Sequence, residues 1–181
     1  MNRALFLDRD GVINVDYDYV HKIEEFDFFE GVFETCKRFV DAGYLIVVIT
    51  NQSGISRKRY SEVDFAILTD WMKEQFAQNG APITAVYHCP HHPEITGECS
   101  CRKPKPGMIE EACKRFDIDP NKSLLVGDHE RDIEAGINAG IKCNVRVKSG
   151  RSDADLASSR ATAIVDLLKD INLDALPCEK F

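Results

Sequence analysis

Short, continuous apolar runs recur at 4–7, 44–49, 83–87, 123–126 and 142–147, with a weaker one at 163–165, and amphipathic stretches separate them. Runs this short, rich in Val, Ile and Leu, are the mark of strands covered on both faces. Strands that alternate with helices join a parallel sheet through helical crossovers. The pattern predicts one α/β domain over 1–181, a doubly wound, Rossmann-like parallel sheet of five to six strands. Helical spacing of Val32, Phe33, Cys36, Phe39 and Val40, stopped by Gly43, predicts one helix. Ser61, with Asp64 three residues on, opens another that buries Phe65, Leu68, Met72 and Phe76. Further helices are expected over 107–116, 131–139 and 166–173.

Three of the apolar runs stop abruptly at polar residues: Leu7 gives way to Asp8, Ile49 to Thr50 and Asn51, and Val126-Gly127 to Asp128. Ligands of open α/β sheets bind outside the carboxyl ends of the strands, so these groups are expected to converge. Asp8 and Asp10 are two apart, a spacing that points both the same way in extended chain; Asp128 and Asp132 are four apart, sharing a face if a helix begins there. Four carboxylates in one cleft repel each other and are costly to desolvate. A hard divalent cation removes that cost, and all-oxygen ligands suit magnesium. Any one of these acids is better read as a helix cap or a solvated loop residue; the four together are not.

The order Asp8-Arg9-Asp10-Gly11, Thr50, Lys103 and Gly127-Asp128 with Asp132 resembles the four motifs of the haloacid dehalogenase superfamily of phosphotransferases. That resemblance spans roughly residues 4–147 and implies catalysis by Asp8, Asp10, Thr50, Arg102 and Lys103. Asp8 is then the nucleophile and Asp10 the acid and base. Catalytic Mg²⁺ is held by Asp8, the Asp10 carbonyl and Asp128, with Asp132 behind it and His129 a further candidate. Thr50 and Asn51 bind phosphate, and Lys103 stabilises the developing charge. Residues 14–30 are too few for a lid, so no separate cap domain is expected.

A second cluster lies between Tyr87 and Gly107. Cys89 and His91 are two apart, as are Cys99 and Cys101, with seven residues between the pairs. Each pair can present two ligands to one ion, making a closed structural Zn²⁺ site, with His88 and His92 as competing ligands. The zinc loop, 88–103, runs directly into Arg102 and Lys103. A disulfide is disfavoured by the expected reducing compartment and the short Cys99–Cys101 spacing. Cys36, Cys113, Cys143 and Cys178 read as small apolar residues.

The stretches around Asp16-Tyr17-Asp18-Tyr19, Thr50-Asn51-Gln52-Ser53, Cys89-Pro90-His91 and Arg102-Lys103 are similar to the heptose bisphosphate phosphatase branch of that superfamily, as is Val145-Arg146-Val147 with Gly150. The similarity implies a sugar bisphosphate substrate that loses its C7 phosphate. Its contacts would be Asp16, Tyr17, Asp18, Tyr19, Thr50, Asn51, Gln52, Ser53, Arg102 and Lys103, with Arg57, Arg146 or Lys148 as further cations for the second phosphate. Histidinol-phosphate phosphatases share the nucleophile motif and a comparable zinc loop, and Asp16, Asp18, Glu24 and Glu25 keep a cationic substrate open. A non-catalytic zinc- or phosphate-binding module is the alternative from another class; retention of Asp8, Asp10, Lys103 and Asp128 argues against it.

The formal charge of −7 argues against nucleic-acid or membrane partners. No apolar run approaches the ~20 residues that span a bilayer, and the first residues read as a strand rather than a signal peptide. A cytoplasmic monomer with a mobile tail at 175–181 is the expectation.

Overall fold

A computed structural model describes residues 1–149 and 156–176 of the 181. Among them, six strands form one parallel sheet: β1 Arg3–Leu7, β2 Tyr44–Asn51, β3 Ile83–Cys89, β4 Leu124–Gly127, β5 Cys143–Val147 and β6 Ala163–Val165. Their order is β3-β2-β1-β4-β5-β6. The chain steps outward from β1 to β3, then returns across β1 to lay down β4. The ends of β1 and β4 therefore flank the point where strand order reverses, where a crevice opens.

Helices α1 Val32–Asp41, α2 Glu62–Gln78, α3 Pro93–Thr96 (a single turn), α4 Gly107–Phe116 and α5 Glu130–Asn138 follow the strands. Alternate residues of each strand face opposite sides. Leu5, Leu7, Ile46, Val48 and Val126 pack with Val32, Cys36 and Phe39 of α1 and with Leu68, Met72 and Phe76 of α2. Ala4, Phe6, Val47, Ile49 and Leu125 pack with Met108, Ile109 and Ala112 of α4 and with Ile133 and Ala135 of α5. Both faces are apolar, which is why the strands read as unbroken runs. Each fully buried Leu, Ile or Phe contributes about 1.5–3 kcal/mol.

The start of α2 is fixed as expected. Ser61 Oγ accepts from the Asp64 amide at 3.1 Å and Asp64 Oδ2 accepts from the Ser61 amide at 2.8 Å. The helix expected over 166–173 does not form; two single 3-10 turns, Leu168–Asp170 and Leu173–Ala175, stand there instead. Asp170 Oδ2 accepts from the Leu167 amide at 2.9 Å, and Asn172 Oδ1 from the Asp174 amide at 3.0 Å. These side chains cap the turns and offer the backbone an alternative to a continuous helix. Leu168 and Ile171 are still delivered to the core.

Cys36 is a buried free thiol and Cys113 a half-buried one. Cys143, by contrast, is disulfide-bonded rather than the free apolar side chain expected. Cys178 and Gly150 lie outside the described residues, as does the expected tail beyond residue 176. No helix of the described residues is long and apolar enough to cross a membrane.

Candidate active site

Asp8 follows the last residue of β1, and its amide donates to the Val126 carbonyl of β4 at 3.0 Å. The backbone ladder thus pins the carboxylate at the switch point. Lys103 Nζ reaches it from the loop before α4, 2.9 Å from Asp8 Oδ1, and stands 2.8 Å from Asp132 Oδ1. The same ammonium donates to the Ile49 carbonyl at 3.0 Å. One ligand oxygen from each of Asp8, Asp128 and Asp132 lies within 4.8 Å of the others. Gly11 is essential to this closeness: its φ is +85°, and a Cβ there would collide with the Asp128 carboxylate.

Asp128 and Asp132 meet by a different route from the shared helical face expected. α5 begins at Glu130 with His129 as its N-cap, so Asp128 precedes the helix. Asp132 lies in the first turn and accepts from the His129 amide at 2.9 Å. One of its oxygens lies within 4.8 Å of the Asp8 and Asp128 oxygens, and Lys103 stands on its Oδ1 at 2.8 Å. His129 Nε2 stands 3.9 Å from Asp128 Oδ2.

Electrostatics separate the three buried groups. Burial pushes the Asp8 carboxyl up to about 8, against the pull of Lys103 and with the help of Asp132 and Asp128. For Asp132, burial is outweighed by Lys103, Arg131 and the His129 amide, which hold it below the usual carboxylate range. Burial also opposes the charge on Lys103, but Asp132 and Asp8 outweigh it and raise its pKa. Asp132 thereby wins the single ammonium. Asp8, Asp128 and Asp132 gather three carboxyl groups around one lysine, and a divalent cation would offset the charge that Asp8 gains on ionising. An all-oxygen donor set of this kind fits magnesium.

The Asp10 carboxylate is turned away from that cluster. Arg9 Nε and Nη2 donate to it at 3.0–3.2 Å, Asn14 Nδ2 at 3.0 Å and Gln52 Nε2 at 3.1 Å. Thr50, at the end of β2, accepts from Gln52 Nε2 at 2.8 Å. Asn51 exchanges two bonds with the backbone of Lys103, its Nδ2 donating to the carbonyl at 3.2 Å and its Oδ1 accepting from the amide at 3.0 Å. That bracket holds the lysine segment against the sheet.

A cleft of about 310 Å³ opens over these groups, lined by Asp8, Asp10, Asp16, Asp18, Tyr19, Thr50, Asn51, Gln52 and Ser53. Most of the expected substrate contacts are thus on one surface. Tyr17 is not: it is exposed, and its hydroxyl donates to Asp27 Oδ2 at 2.8 Å. Arg102 lies outside the lining, with Nη1 donating to the His91 carbonyl at 3.2 Å. Arg146 is fully buried, bonded to the Asp128 carbonyl at 3.3 Å and to Glu130 at 3.0 Å. It therefore props a carboxylate rather than serving as a phosphate contact. Lys148 pairs with Asp166 at 2.8 Å, and Arg57 contacts His92 at 2.9 Å. Tyr60 and Arg131 line the cleft and were not foreseen. Arg131 stood inside the Gly127–Asp132 motif as a spacer; Tyr60 carried no signal.

The three loop thiols also converge. Cys89 Sγ is 3.6 Å from Cys99 Sγ and 3.0 Å from Cys101 Sγ. Sulfurs on one tetrahedral zinc, each ~2.3 Å from the ion, stand about 3.8 Å apart, a spacing the Cys89–Cys99 pair approaches while Cys101 stands closer to Cys89. Burial raises the pKa of Cys89 and of Cys101, while backbone amides led by that of Arg102 outweigh burial at Cys99 and lower it. The His91 ring is not within this cluster. The competing histidines are engaged elsewhere: His88 pairs with Glu62 at 2.7 Å and stacks on Phe65, and His92 takes Arg57.

Comparison with known proteins shows what the chain is similar to. A HAD-hydrolase-like family model matches residues 100–171. The D-glycero-alpha-D-manno-heptose-1,7-bisphosphate 7-phosphatase of Burkholderia mallei is 50% identical over 94% of this chain and 92% of its own. The D-glycero-beta-D-manno-heptose-1,7-bisphosphate 7-phosphatase of Haemophilus influenzae is 43% identical over 94% of this chain and 95% of its own. The crystal structure of D,D-heptose 1,7-bisphosphate phosphatase from B. bronchiseptica, complexed with magnesium and phosphate, superposes with a TM-score of 0.83 at 33% identity. It covers 92% of this chain and 94% of that one.

Proposed function

The chain belongs to the heptose 1,7-bisphosphate 7-phosphatase family of haloacid dehalogenase-like hydrolases, and we propose that Asp8 is the nucleophile of its reaction. The enzyme is a magnesium-dependent phosphoric monoester hydrolase that removes the C7 phosphate of D-glycero-D-manno-heptose 1,7-bisphosphate. The observation that carries the residue assignment is the buried Asp8–Lys103–Asp132 triad beside Asp128, of which Asp8 reaches the lining of the cleft.

A carboxylate oxygen of Asp8 attacks phosphorus, and the bond from phosphorus to the sugar oxygen breaks. The proton carried by Asp10 passes to that leaving oxygen, so the sugar departs as an alcohol. Asp10, now ionised, takes a proton from water as its oxygen attacks the aspartyl phosphate. Inorganic phosphate leaves and the Asp8 carboxylate is regenerated. Thr50 Oγ and the Asn51 amide hold phosphate oxygens, and Lys103 offsets charge on the group in transit. Magnesium, held by Asp8, the Asp10 carbonyl and Asp128, supplies Lewis-acid charge stabilisation when bound. Asp16, Asp18, Tyr19 and Ser53 form the wall that the sugar meets.

Zinc is assigned to Cys89, Cys99 and Cys101, with His91 completing the set by turning its ring inward. The convergence of the three thiols and the engagement of His88 and His92 by other residues support this choice. A closed set of four ligands leaves no position for water, so the role is structural.

Phosphate release from heptose 1,7-bisphosphate and from histidinol phosphate, with magnesium and with the metal removed, tests the reading. Magnesium-dependent turnover that strongly favours the heptose is expected, and Asp8→Asn abolishes it. Preference for histidinol phosphate moves the enzyme to a cationic substrate. Turnover surviving in Asp8→Asn removes the nucleophile assignment.

A further inference from the structure

Gln52 was expected to touch the sugar phosphate, yet its side chain is 3% exposed and its amide is fully engaged within the protein. Nε2 donates to Asp10 Oδ2 at 3.1 Å and to Thr50 Oγ1 at 2.8 Å. Oε1 accepts from the Tyr60 hydroxyl, and from Arg9 Nη2 at 3.4 Å. The partners dictate the direction of every bond. Arg9 can only donate, so it must face the amide oxygen. The NH₂ group therefore faces Asp10 and Thr50. Tyr60, meeting the amide oxygen, has to be a donor. Burial pushes its phenol up to about 12, so the hydroxyl proton is retained at neutral pH.

Two consequences follow for groups that meet substrate. Thr50 Oγ1 is the acceptor in its bond with Gln52, which leaves the hydroxyl proton free to donate to a phosphate oxygen. Asp10 is gripped by one Gln52 hydrogen on Oδ2, besides Arg9 and Asn14. Tyr60 anchors the assembly mechanically. Its ring stacks on His21 at 5.1 Å between centroids, and it lies so close to Gly54 that a Cβ there would collide with it.

We infer that Tyr60 is a positioning residue which, through Gln52, locks the proton-transfer carboxyl of Asp10 and the phosphate-binding hydroxyl of Thr50 into one unit. This rests on the assignment of Asp10 as the general acid. A group that positions the acid matters most when the leaving oxygen is a poor one, and little when it departs readily without a proton. A merely structural tyrosine shows no such dependence.

The test is single-turnover release of alcohol or phenol from phosphate monoesters ranging from activated aryl esters to alkyl esters. This isolates the first step from hydrolysis of the phosphoenzyme. Tyr60→Phe keeps the ring and removes the hydroxyl. It is expected to slow the alkyl esters about tenfold, a part of the ~10²–10⁴-fold that a general acid supplies, while the most activated aryl ester stays within about twofold. Gln52→Met, which removes both donors, steepens the dependence further. Asp10→Asn is the reference, with the steepest dependence of all. Equal loss across the series, or no loss, in Tyr60→Phe while Asp10→Asn steepens it overturns the inference alone. An unchanged dependence in Asp10→Asn overturns the acid assignment and this inference together.

Discussion

Lys103 is 2% exposed, and its ammonium pairs with two carboxylates and donates to the Ile49 carbonyl. Replacing it by methionine keeps much of the volume but strands Asp8 and Asp132 beside Asp128. Breaking a buried pair in this way costs about 3–5 kcal/mol. At roughly 2–4 °C per kcal/mol for a chain of this size, thermal unfolding of metal-free Lys103→Met should begin many degrees lower. Turnover should fall by about 10²–10³, the loss seen when a donor to transition-state charge is removed. A variant that unfolds at the wild-type temperature would show that the triad is not paired in solution. Lys103 itself could be read from the chain only through its motif; its span to Asp8 is long. Asp8 and Asp128 were readable for a simpler reason, since an unbroken apolar run stops at each of them. Tyr60 and Arg131 had no such marker. Their placement depends on how the loop after β2 and the first turn of α5 come to line one cleft, and no local spacing encodes that approach.

At the scale of elements, the loop joining β3 to α4 connects the thiol cluster to the catalytic floor. Cys89 ends β3, where it pairs in register with Asn51 of β2, and its carbonyl accepts from the Gln52 amide at 2.7 Å. Asn51 in turn brackets Lys103. An ion that fixes the sulfurs therefore fixes both the phosphate-binding turn and the lysine. Cys99→Ser is expected to reduce zinc from about one ion per chain to near zero, since a tetrahedral site loses a thiolate, and to lower the unfolding temperature. Turnover should fall more than KM rises, because positioning is lost before binding. Cys113→Ser, at a half-buried thiol outside the cluster, should keep its zinc. Unchanged zinc in Cys99→Ser, measured by elemental analysis, rules out Cys99 as a ligand. The Cys-rich spacing made the loop visible in the chain. The position of the His91 ring was not visible, because a two-residue spacing fixes a side only in extended backbone, and this loop turns. The same limit explains 166–173: its apolar periodicity suits a helix, but Asp170 and Asn172 satisfy the backbone in separate turns.

For the whole molecule, the strand order puts the carboxylates where fold stability and metal occupancy are linked. Asp8 titrates near 4 when unfolded and near 8 in the metal-free fold, raised chiefly by burial. A group whose folded pKa is raised contributes stability fully present below the unfolded value, and that stability is lost as pH climbs through the folded one. Metal-free protein should therefore weaken between about pH 4 and pH 8 at this group. Asp132 shifts the opposite way, below its ordinary range, so its contribution is lost only in acid beneath that window. Lys103 is raised above the ordinary lysine value, and its contribution persists across it. Magnesium needs the ionised form of Asp8, so it must displace a proton at low pH and has none to displace at high pH. The stabilisation it confers should grow with pH. At a concentration a hundred times its Kd, a ligand adds about 2.7 kcal/mol, which at 2–4 °C per kcal/mol is an upward shift of roughly 5–10 °C at pH 8. Thermal unfolding with and without magnesium at pH 5 and pH 8 measures this, in buffers free of chelator so that zinc stays in place. A shift clearly larger at pH 8 ties the ion to Asp8. Equal shifts at both pH values would place the ion on groups already ionised at pH 5, and so detach it from the nucleophile.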